Sequence, residues 1–215
     1  MPNEFPHRVC TGTLIAKNWV LTAAHCLAQT LTRIRFEGSH FPPGQYSRIL
    51  KKIPHPAYRK YFRNEYFKHF YSVNDISLLL VEVVHLKSYA KLAAVYYKKV
   101  LGLPVKCYSF GLTVIDKKEV LREHNDGVNA VQEAEGNVVT CKNPDHWGPG
   151  ICTAPKCHYK FNNSMGGDTG GPLIYEDQIL GISSIKTSLP MDRYTPISLY
   201  LGWITEIIKK NYNAL

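Results

Sequence analysis

Short strand-like runs separated by polar turns dominate the first part of the chain. The runs lie at residues 13–15, 19–21, 34–36, 47–53 and 77–84. Turn-forming residues stand between them, such as the pair Lys17-Asn18 and the triplet Pro42-Pro43-Gly44. Regularly spaced short strands with this punctuation are typical of barrels and sandwiches. The pattern therefore predicts an all-β fold.

The pattern changes near the C-terminus, where apolar side chains recur at helical spacing. They are Tyr200, Trp203, Ile204, Ile207 and Ile208. Two lysines, Lys209 and Lys210, follow in what would be the last turns, where positive charge favours a helix end. We therefore expect a helix over 200–212 that packs against the domain rather than anchoring it in a membrane.

Composition favours a secreted globular protein. The chain has 215 residues, of which 45% are hydrophobic, which is enough for the core of one domain or two small barrels. Six cysteines fit an oxidised framework better than the reducing cytosol, so we expect an extracellular protein, although residues 1–5 do not read as a secretion signal. The sequence contains no apolar run of about 18 residues, so it predicts no transmembrane helix.

The formal net charge of +9 predicts attraction to anionic surfaces such as sulfated glycans. No nucleic-acid motif accompanies the charge, so nucleic acid is not an expected partner. The segment 58–71 alternates aromatic with basic residues. It has two interpretations: a contact segment for a glycan, lipid head group or protein, or a solvated surface loop with ordinary basic side chains.

Three short motifs carry the chemistry. They are LTAAHC at 21–26, NDISLL at 74–79 and MGGDTGGP at 165–172. In this order they resemble the general-base, acid and nucleophile motifs of the chymotrypsin/trypsin-like serine protease family, with threonine where the family has serine. The resemblance covers nearly the whole chain. It implies two antiparallel six-stranded β-barrels, at about 1–100 and 101–199, followed by the helix at 200–212, in a monomer without a cofactor.

The resemblance assigns roles to individual residues. His25 is the expected general base, Asp75 orients it, and Thr169 occupies the nucleophile position. The backbone N–H groups of Gly167 and Thr169 are the expected oxyanion hole. An aspartate within an apolar segment is costly to bury without a partner, and His25 supplies one for Asp75.

Threonine keeps the hydroxyl but adds a methyl group on Cβ, which stiffens χ1. In a well-packed site an added methyl costs about 1–3 kcal/mol. A nucleophile misplaced by about 1 Å loses roughly a hundredfold in rate. Known threonine proteases activate the residue through its own terminal amine, whereas Thr169 is internal. We therefore expect catalysis to be lost or nearly lost.

The resemblance also predicts an occluded specificity pocket. Asn163 lies at its expected base, which excludes the aspartate found in trypsin-like members. Lys186 follows Ser184 and Ile185 where the family has a glycine that keeps the entrance open. Asp192 lies close enough in the family pattern to hold the Lys186 ammonium group.

Two disulfides are implied by the resemblance, Cys10 with Cys26 beside the expected base and Cys141 with Cys152. A short loop closed by a disulfide is worth roughly 3 kcal/mol in the chain-entropy account. Cys107 lies on a strand whose usual partner position is Tyr175 in this chain. With the other pairs assigned, Cys107 with Cys157 is the remaining hypothesis.

A zinc site is the alternative for this cysteine-rich region. Cys152, Cys157 and His158 are close in sequence, and His146 is not far. Tetrahedral zinc sites usually have tighter paired spacings, so disulfides are favoured and no metal is expected.

The start of the chain departs from the family. Active members begin with an Ile-Val-Gly-Gly-like tetrapeptide whose ammonium group is buried against the aspartate before the nucleophile, which is Asp168 here. No such tetrapeptide occurs in the sequence. If Met1 or Pro2 is the true start of the chain, a buried Asp168 needs another partner; the alternative is that the sequence is truncated.

These observations favour a secreted serine protease homologue that binds a protein partner, such as a component of a proteolytic or immune cascade. Inactivated homologues of arthropods and parasites resemble this pattern. The alternative is a weakly active endopeptidase in which Thr169 attacks with help from His25 and Asp75, because both of those residues are present.

Overall fold

The computed structural model describes residues 10–36, 45–62, 70–109, 132–141, 148–155, 169–184 and 192–212. In this part of the chain the strands are β1 (Thr13–Ala16), β2 (Trp19–Thr22), β3 (Arg33–Phe36), β4 (Gln45–Pro54), β5 (Arg59–Phe62), β6 (Phe70–Val73), β7 (Ser77–Val81), β8 (Lys91–Leu92), β9 (Pro104–Ser109), β10 (Gln132–Val139), β11 (Ile151–Pro155), β12 (Pro172–Tyr175), β13 (Gln178–Ser183) and β14 (Asp192–Pro196). Short 3₁₀ helices span Ala24–Cys26, Tyr97–Lys99 and Ile197–Leu199, and helix α1 spans Leu201–Tyr212. The predicted all-β class with a C-terminal helix is confirmed.

The first sheet has the strand order β1-β2-β7-β4-β3, with every neighbouring pair antiparallel. Its central strands β2 and β7 are buried along their whole length. Strands covered on both faces are continuously apolar rather than alternating, which is why the runs at 19–21 and 77–84 were recognisable in the sequence. The second run ends as a strand at Val81, earlier than predicted.

The second sheet closes into a six-stranded barrel. Its order is β12-β9-β10-β11-β14-β13, and β12 also pairs with β13. The short strand β8 adds to β13 in parallel, so residues before 100 already belong to this sheet. Closure removes the unpaired edges that an open sheet would leave, because each strand has two hydrogen-bonded neighbours.

The first sheet differs from the expected closed barrel of six strands. The strands described there form an open sheet of five, with β1 and β3 at its edges. On the outer side of β1, the backbone N–H of Ala90 donates to the Leu14 carbonyl at 3.0 Å. The chain linking the two sheets therefore satisfies a hydrogen-bonding group of β1 that a sixth strand would otherwise use.

The segment 58–71 is not simply a loop. Its described ends are β5 and β6, an antiparallel pair that forms a separate two-stranded sheet with Arg59 opposite Val73. Alternating aromatic and basic residues suit a strand with one face toward solvent, which the sequence interpretation as a loop overlooked. Residues 63–69 lie outside the described part.

The main core lies where the two sheets and α1 meet. Trp19 and Leu78 of the first sheet, Ile182 of the second, and Ile204 of α1 belong to one buried cluster. Apolar burial on this scale is the main stabilising term for such a domain. The helix therefore closes the interface between the sheets, and no helix among the described residues is long and apolar enough to span a membrane.

Ile204→Ala is expected to lower the free energy of unfolding by about 2–5 kcal/mol, because it leaves a cavity under α1 where the native side chain is only 2% exposed. Urea unfolding followed by circular dichroism measures the change. Leu199→Ala is the matched control, since Leu199 is 42% exposed and its truncation is expected to change stability by less than about 0.5 kcal/mol. Equal losses in the two variants would contradict this account of the core.

Candidate active site

His25 is held at the end of a buried strand. β2 ends at Thr22, and the chain then turns through the 3₁₀ helix Ala24–Cys26 that carries the imidazole. The disulfide Cys10–Cys26 joins the next residue to the segment before β1. Because the backbone is fixed on both sides, the imidazole, which is 14% exposed, has a defined position.

Asp75 lies in the turn between β6 and β7. The residue before it, Asn74, has φ of +52°, a left-handed conformation that asparagine tolerates better than most residues. The Asn74 side chain donates to the Ala57 carbonyl at 2.9 Å and accepts from the Tyr200 hydroxyl at 2.9 Å. These contacts hold the turn from two directions and fix the carboxylate, which is only 1% exposed.

Four hydrogen bonds reach the Asp75 carboxylate. The backbone N–H of His25 donates to Oδ1 at 3.0 Å, and its ring Nδ1 donates to Oδ2 at 2.6 Å. Two serine hydroxyls also donate to Oδ2, from Ser184 at 2.7 Å and from Ser72 at 2.9 Å. A buried carboxylate needs such donors to remain ionised, and here they come from three places in the chain: the turn after β2, the residue after β13, and β6.

The surroundings of Asp75 push its pKa in opposite directions. Burial raises the pKa, but the hydrogen bonds and charge of His25, together with the hydroxyl of Ser184, lower it by more, so that the pKa of Asp75 lies below its ordinary value. Burial first, and then the negative charge of Asp75, raise the pKa of Tyr58 and that of Tyr200 to about 12. Both phenols are therefore neutral at physiological pH.

Thr169 lies in a turn whose backbone is tightly held. Its carbonyl accepts from the N–H of Thr11 at 2.8 Å, and the N–H of Gly170 donates to the Ser183 carbonyl at 2.7 Å. Gly170 has φ of +85°, and a Cβ atom there would lie 2.3 Å from the Thr11 carbonyl oxygen and 2.3 Å from Thr22 Oγ1. Only glycine fits at this point in the observed conformation.

The structure brings part of the predicted site together. Asp75 joins His25 to Ser184, which the sequence placed in the pocket and which here donates to the carboxylate. Asp192 begins β14, opposite Thr153. Gly167, Asn163, Lys186 and Asp168 lie outside the described residues, so the oxyanion hole and the occluded pocket stay predictions.

Two disulfides lie within the described residues, Cys10–Cys26 and Cys141–Cys152. Cys107 lies on β9 opposite Ala134. The proposed partner of Cys107, Cys157, lies outside the described residues, so that pairing stays a hypothesis. The same holds for the zinc alternative, which depended on Cys157, His158 and His146, and in the described segments no group of three potential ligands is arranged to hold a metal ion.

Sequence reasoning missed three residues that shape this site: Ser72, Asn74 and Tyr200. The helical periodicity assigned Tyr200 to the core, which is correct, but gave no sign that its hydroxyl reaches Asn74. An asparagine directly before the expected acid was a usable signal for a left-handed turn. Ser72 carried no signal, because its contact with Asp75 exists only once that turn has formed.

A closed six-stranded barrel, an open five-stranded sheet and an imidazole–carboxylate pair at their junction define the trypsin-like class of fold. The family model described as Trypsin matches residues 3–204. The chain therefore belongs to the trypsin-like serine protease family.

Curated relatives and solved structures resemble the chain over most of its length. Mast cell protease 2 of Meriones unguiculatus is 31% identical, with the match covering 94% of this chain and 80% of that protein. Kallikrein-2 of Homo sapiens is 30% identical, with 94% and 81% covered. The structure of neuropsin, a serine protease expressed in the limbic system of mouse brain, shares the fold with a TM-score of 0.72 at 24% identity, covering 93% of this chain and 89% of neuropsin.

Asp75→Asn is expected to lower the free energy of unfolding by about 1.5–3 kcal/mol at neutral pH, because hydrogen bonds to a charged group are lost. The folded pKa of Asp75 is lowered, so its stabilising effect is fully present above the unfolded pKa of about 3.9 and is lost as pH falls through the folded pKa. The difference between native protein and variant should therefore shrink below about pH 4.

Urea unfolding at a series of pH values measures this difference. Asp177→Asn is the control, since Asp177 is exposed at a turn, and its substitution is expected to leave the unfolding free energy unchanged within error. A difference between native protein and Asp75→Asn that stays constant from neutral to acid pH would show that the pKa of Asp75 is the same in the folded and unfolded states, which would contradict this account.

Proposed function

We propose that this protein is a secreted serine protease homologue that has lost, or nearly lost, peptide hydrolysis and acts by binding another protein. The observation that carries the proposal is Thr169 on a turn whose backbone is hydrogen-bonded on both sides. A methyl group has been added at the nucleophile position of a site that otherwise retains His25 and Asp75.

The clamped backbone limits how Thr169 can adapt. Thr11 and Ser183 hold the turn by hydrogen bonds on either side of its peptide, and the packing around Gly170 excludes a shift toward β2. The extra methyl must then be accommodated by rotation about χ1, which β-branching already restricts. We infer that the hydroxyl is turned away from the position from which it would attack. Even a displacement of about 1 Å costs roughly a hundredfold in rate.

The sequence around the expected specificity pocket also favours a loss of peptide hydrolysis. By the family resemblance, Lys186 stands where the family has a glycine at the pocket entrance, and Asp192 is expected to lie close enough to hold its ammonium group. A plugged pocket removes the binding energy that positions a substrate. Combined with a misplaced hydroxyl, a plugged pocket lowers the rate of peptide hydrolysis further than either change alone.

A binding role is consistent with the parts of the fold that the chain retains. The barrels and the two disulfides give a rigid support on which surface segments can recognise a partner. Disulfides are typical of extracellular proteins, which supports secretion. Exposed basic side chains on β3, Arg33, and on the β5–β6 hairpin, Arg59, favour an acidic protein surface or an anionic glycan as the contact.

A fluorophosphonate probe, which labels activated nucleophilic hydroxyls, tests the proposal. The native protein is expected to remain unlabelled, and Thr169→Ser is expected to be labelled at least about a hundredfold faster, because the smaller side chain restores the alignment. Labelling is measured by intact-protein mass spectrometry over time.

The double variant Thr169→Ser with His25→Ala is the control, and it should lose the gained labelling. Rapid labelling of the native protein at residue 169 would overturn the proposal. If Thr169→Ser also stays unlabelled while folding normally, the pocket or oxyanion residues are the dominant cause of inactivity rather than Thr169.

A second candidate is a slow serine-type endopeptidase that uses Thr169 with His25 and Asp75. The retained pair of His25 and Asp75 favours it, because loss of function would leave both residues free to change. This candidate predicts steady cleavage of peptide substrates by the native protein, lost in His25→Ala. Cleavage that survives His25→Ala would indicate a contaminating protease and exclude the candidate.

A further inference from the structure

One oxygen of the Asp75 carboxylate receives three donors. They are the ring Nδ1–H of His25 at 2.6 Å, the hydroxyl of Ser184 at 2.7 Å and the hydroxyl of Ser72 at 2.9 Å, all directed at Oδ2. The other oxygen, Oδ1, receives the backbone N–H of His25 at 3.0 Å. Oδ2, the oxygen that orients the imidazole, therefore receives three of the four hydrogen bonds, and Oδ1 receives one.

Ser72 reaches this oxygen from an element that carries neither of the other donors. It lies on β6, opposite Lys60 of β5, in the separate two-stranded sheet. Asn74, in its left-handed conformation, then reverses the chain so that the carboxylate of Asp75 comes back to the Ser72 hydroxyl. The side-chain bonds of Asn74 to Ala57 and Tyr200 hold that reversal.

Three donors compete for the electron density of one oxygen. A carboxylate oxygen offers about two lone-pair positions, so a third donor weakens the bonds made by the other two. The competition is strong here because the carboxylate is only 1% exposed, and charge–dipole interactions are larger in a low dielectric than in water.

We propose that Ser72 is a positioning residue: its hydroxyl fixes Asp75 Oδ2 and, by sharing that oxygen, lengthens and weakens the hydrogen bond from His25 Nδ1. The effect acts on the orienting carboxylate and not on a substrate. It therefore goes beyond the proposed function, and it holds whether or not Thr169 can attack.

Other titratable groups around Asp75 leave this effect readable. The phenols of Tyr58 and Tyr200 approach from the segment before β5 and from the residue before α1, and the pKa of each is raised to about 12. Both phenols are uncharged at neutral pH and throughout an acid titration. A change on altering Ser72 is therefore attributable to the lost hydroxyl.

The test is proton NMR of the His25 Nδ1–H, recorded at one fixed pH on the native protein and on Ser72→Ala, Ser72→Thr and Ser198→Ala. The resonance is assigned by its loss in His25→Ala. Ser72→Ala is expected to move it downfield, because the bond to Asp75 shortens when a competing donor is removed. Ser72→Thr keeps a hydroxyl and should return the resonance toward its native position. The hydroxyl oxygen of Ser198 accepts from the backbone N–H of Tyr97 at 3.3 Å, and Ser198 is not a donor to Asp75, so Ser198→Ala should leave the resonance unmoved.

A second measurement decides the matter if exchange with water broadens that proton. The ¹³C resonance of the Asp75 carboxyl group is followed through an acid titration, and the pKa of Asp75 should be higher in Ser72→Ala than in the native protein, since the ionised form has lost a donor. An unmoved or upfield Nδ1–H in folded Ser72→Ala, or an unchanged pKa of Asp75, would overturn the proposal. So would equal shifts in Ser72→Ala and Ser198→Ala.

Discussion

The buried charge of Asp75 is the constraint around which the site is arranged. A carboxylate with 1% of its surface exposed is stable only if donors replace the water it has lost. Its four donors come from the turn after β2, from the end of β13 and from β6. Satisfying one charge therefore ties the first sheet, the closed barrel and the β5–β6 hairpin together at their junction, which is also where the main apolar cluster lies.

The same junction explains why a single methyl group matters. The Thr169 turn is bound to the segment before β1 through Thr11 and to the end of β13 through Ser183. Gly170 packs so closely that it has no room for a Cβ atom. These contacts are expected to preserve the orientation of His25 and to leave little room for adjustment when threonine occupies the nucleophile position. On the proposed account, a backbone that suits catalysis with serine would therefore oppose it with threonine.

Much of the fold was predictable because its signals are local. The strands β2 and β7 are continuous apolar runs, and the C-terminal helix has clear periodicity, so burial alone identifies them. The pairing of His25 with Asp75, far apart in sequence, could be anticipated only from the family's motifs. The roles of Ser72 and Tyr200 could not be anticipated, because they depend on the left-handed turn at Asn74 and on how the hairpin meets the helix. Likewise, the sequence pattern does not identify β5 and β6 as strands, because each pairs with the other and not with the main sheet.

The position of the Thr169 hydroxyl tests the central claim most directly. An experimental crystal structure at a resolution that defines χ1 gives the distance from Thr169 Oγ1 to His25 Nε2. We predict that this distance lies outside hydrogen-bonding range, with the hydroxyl rotated away from the imidazole. A distance of about 2.6–3.2 Å with the hydroxyl aimed at Nε2 would contradict the account, because the nucleophile, base and orienting carboxylate would then be aligned for attack.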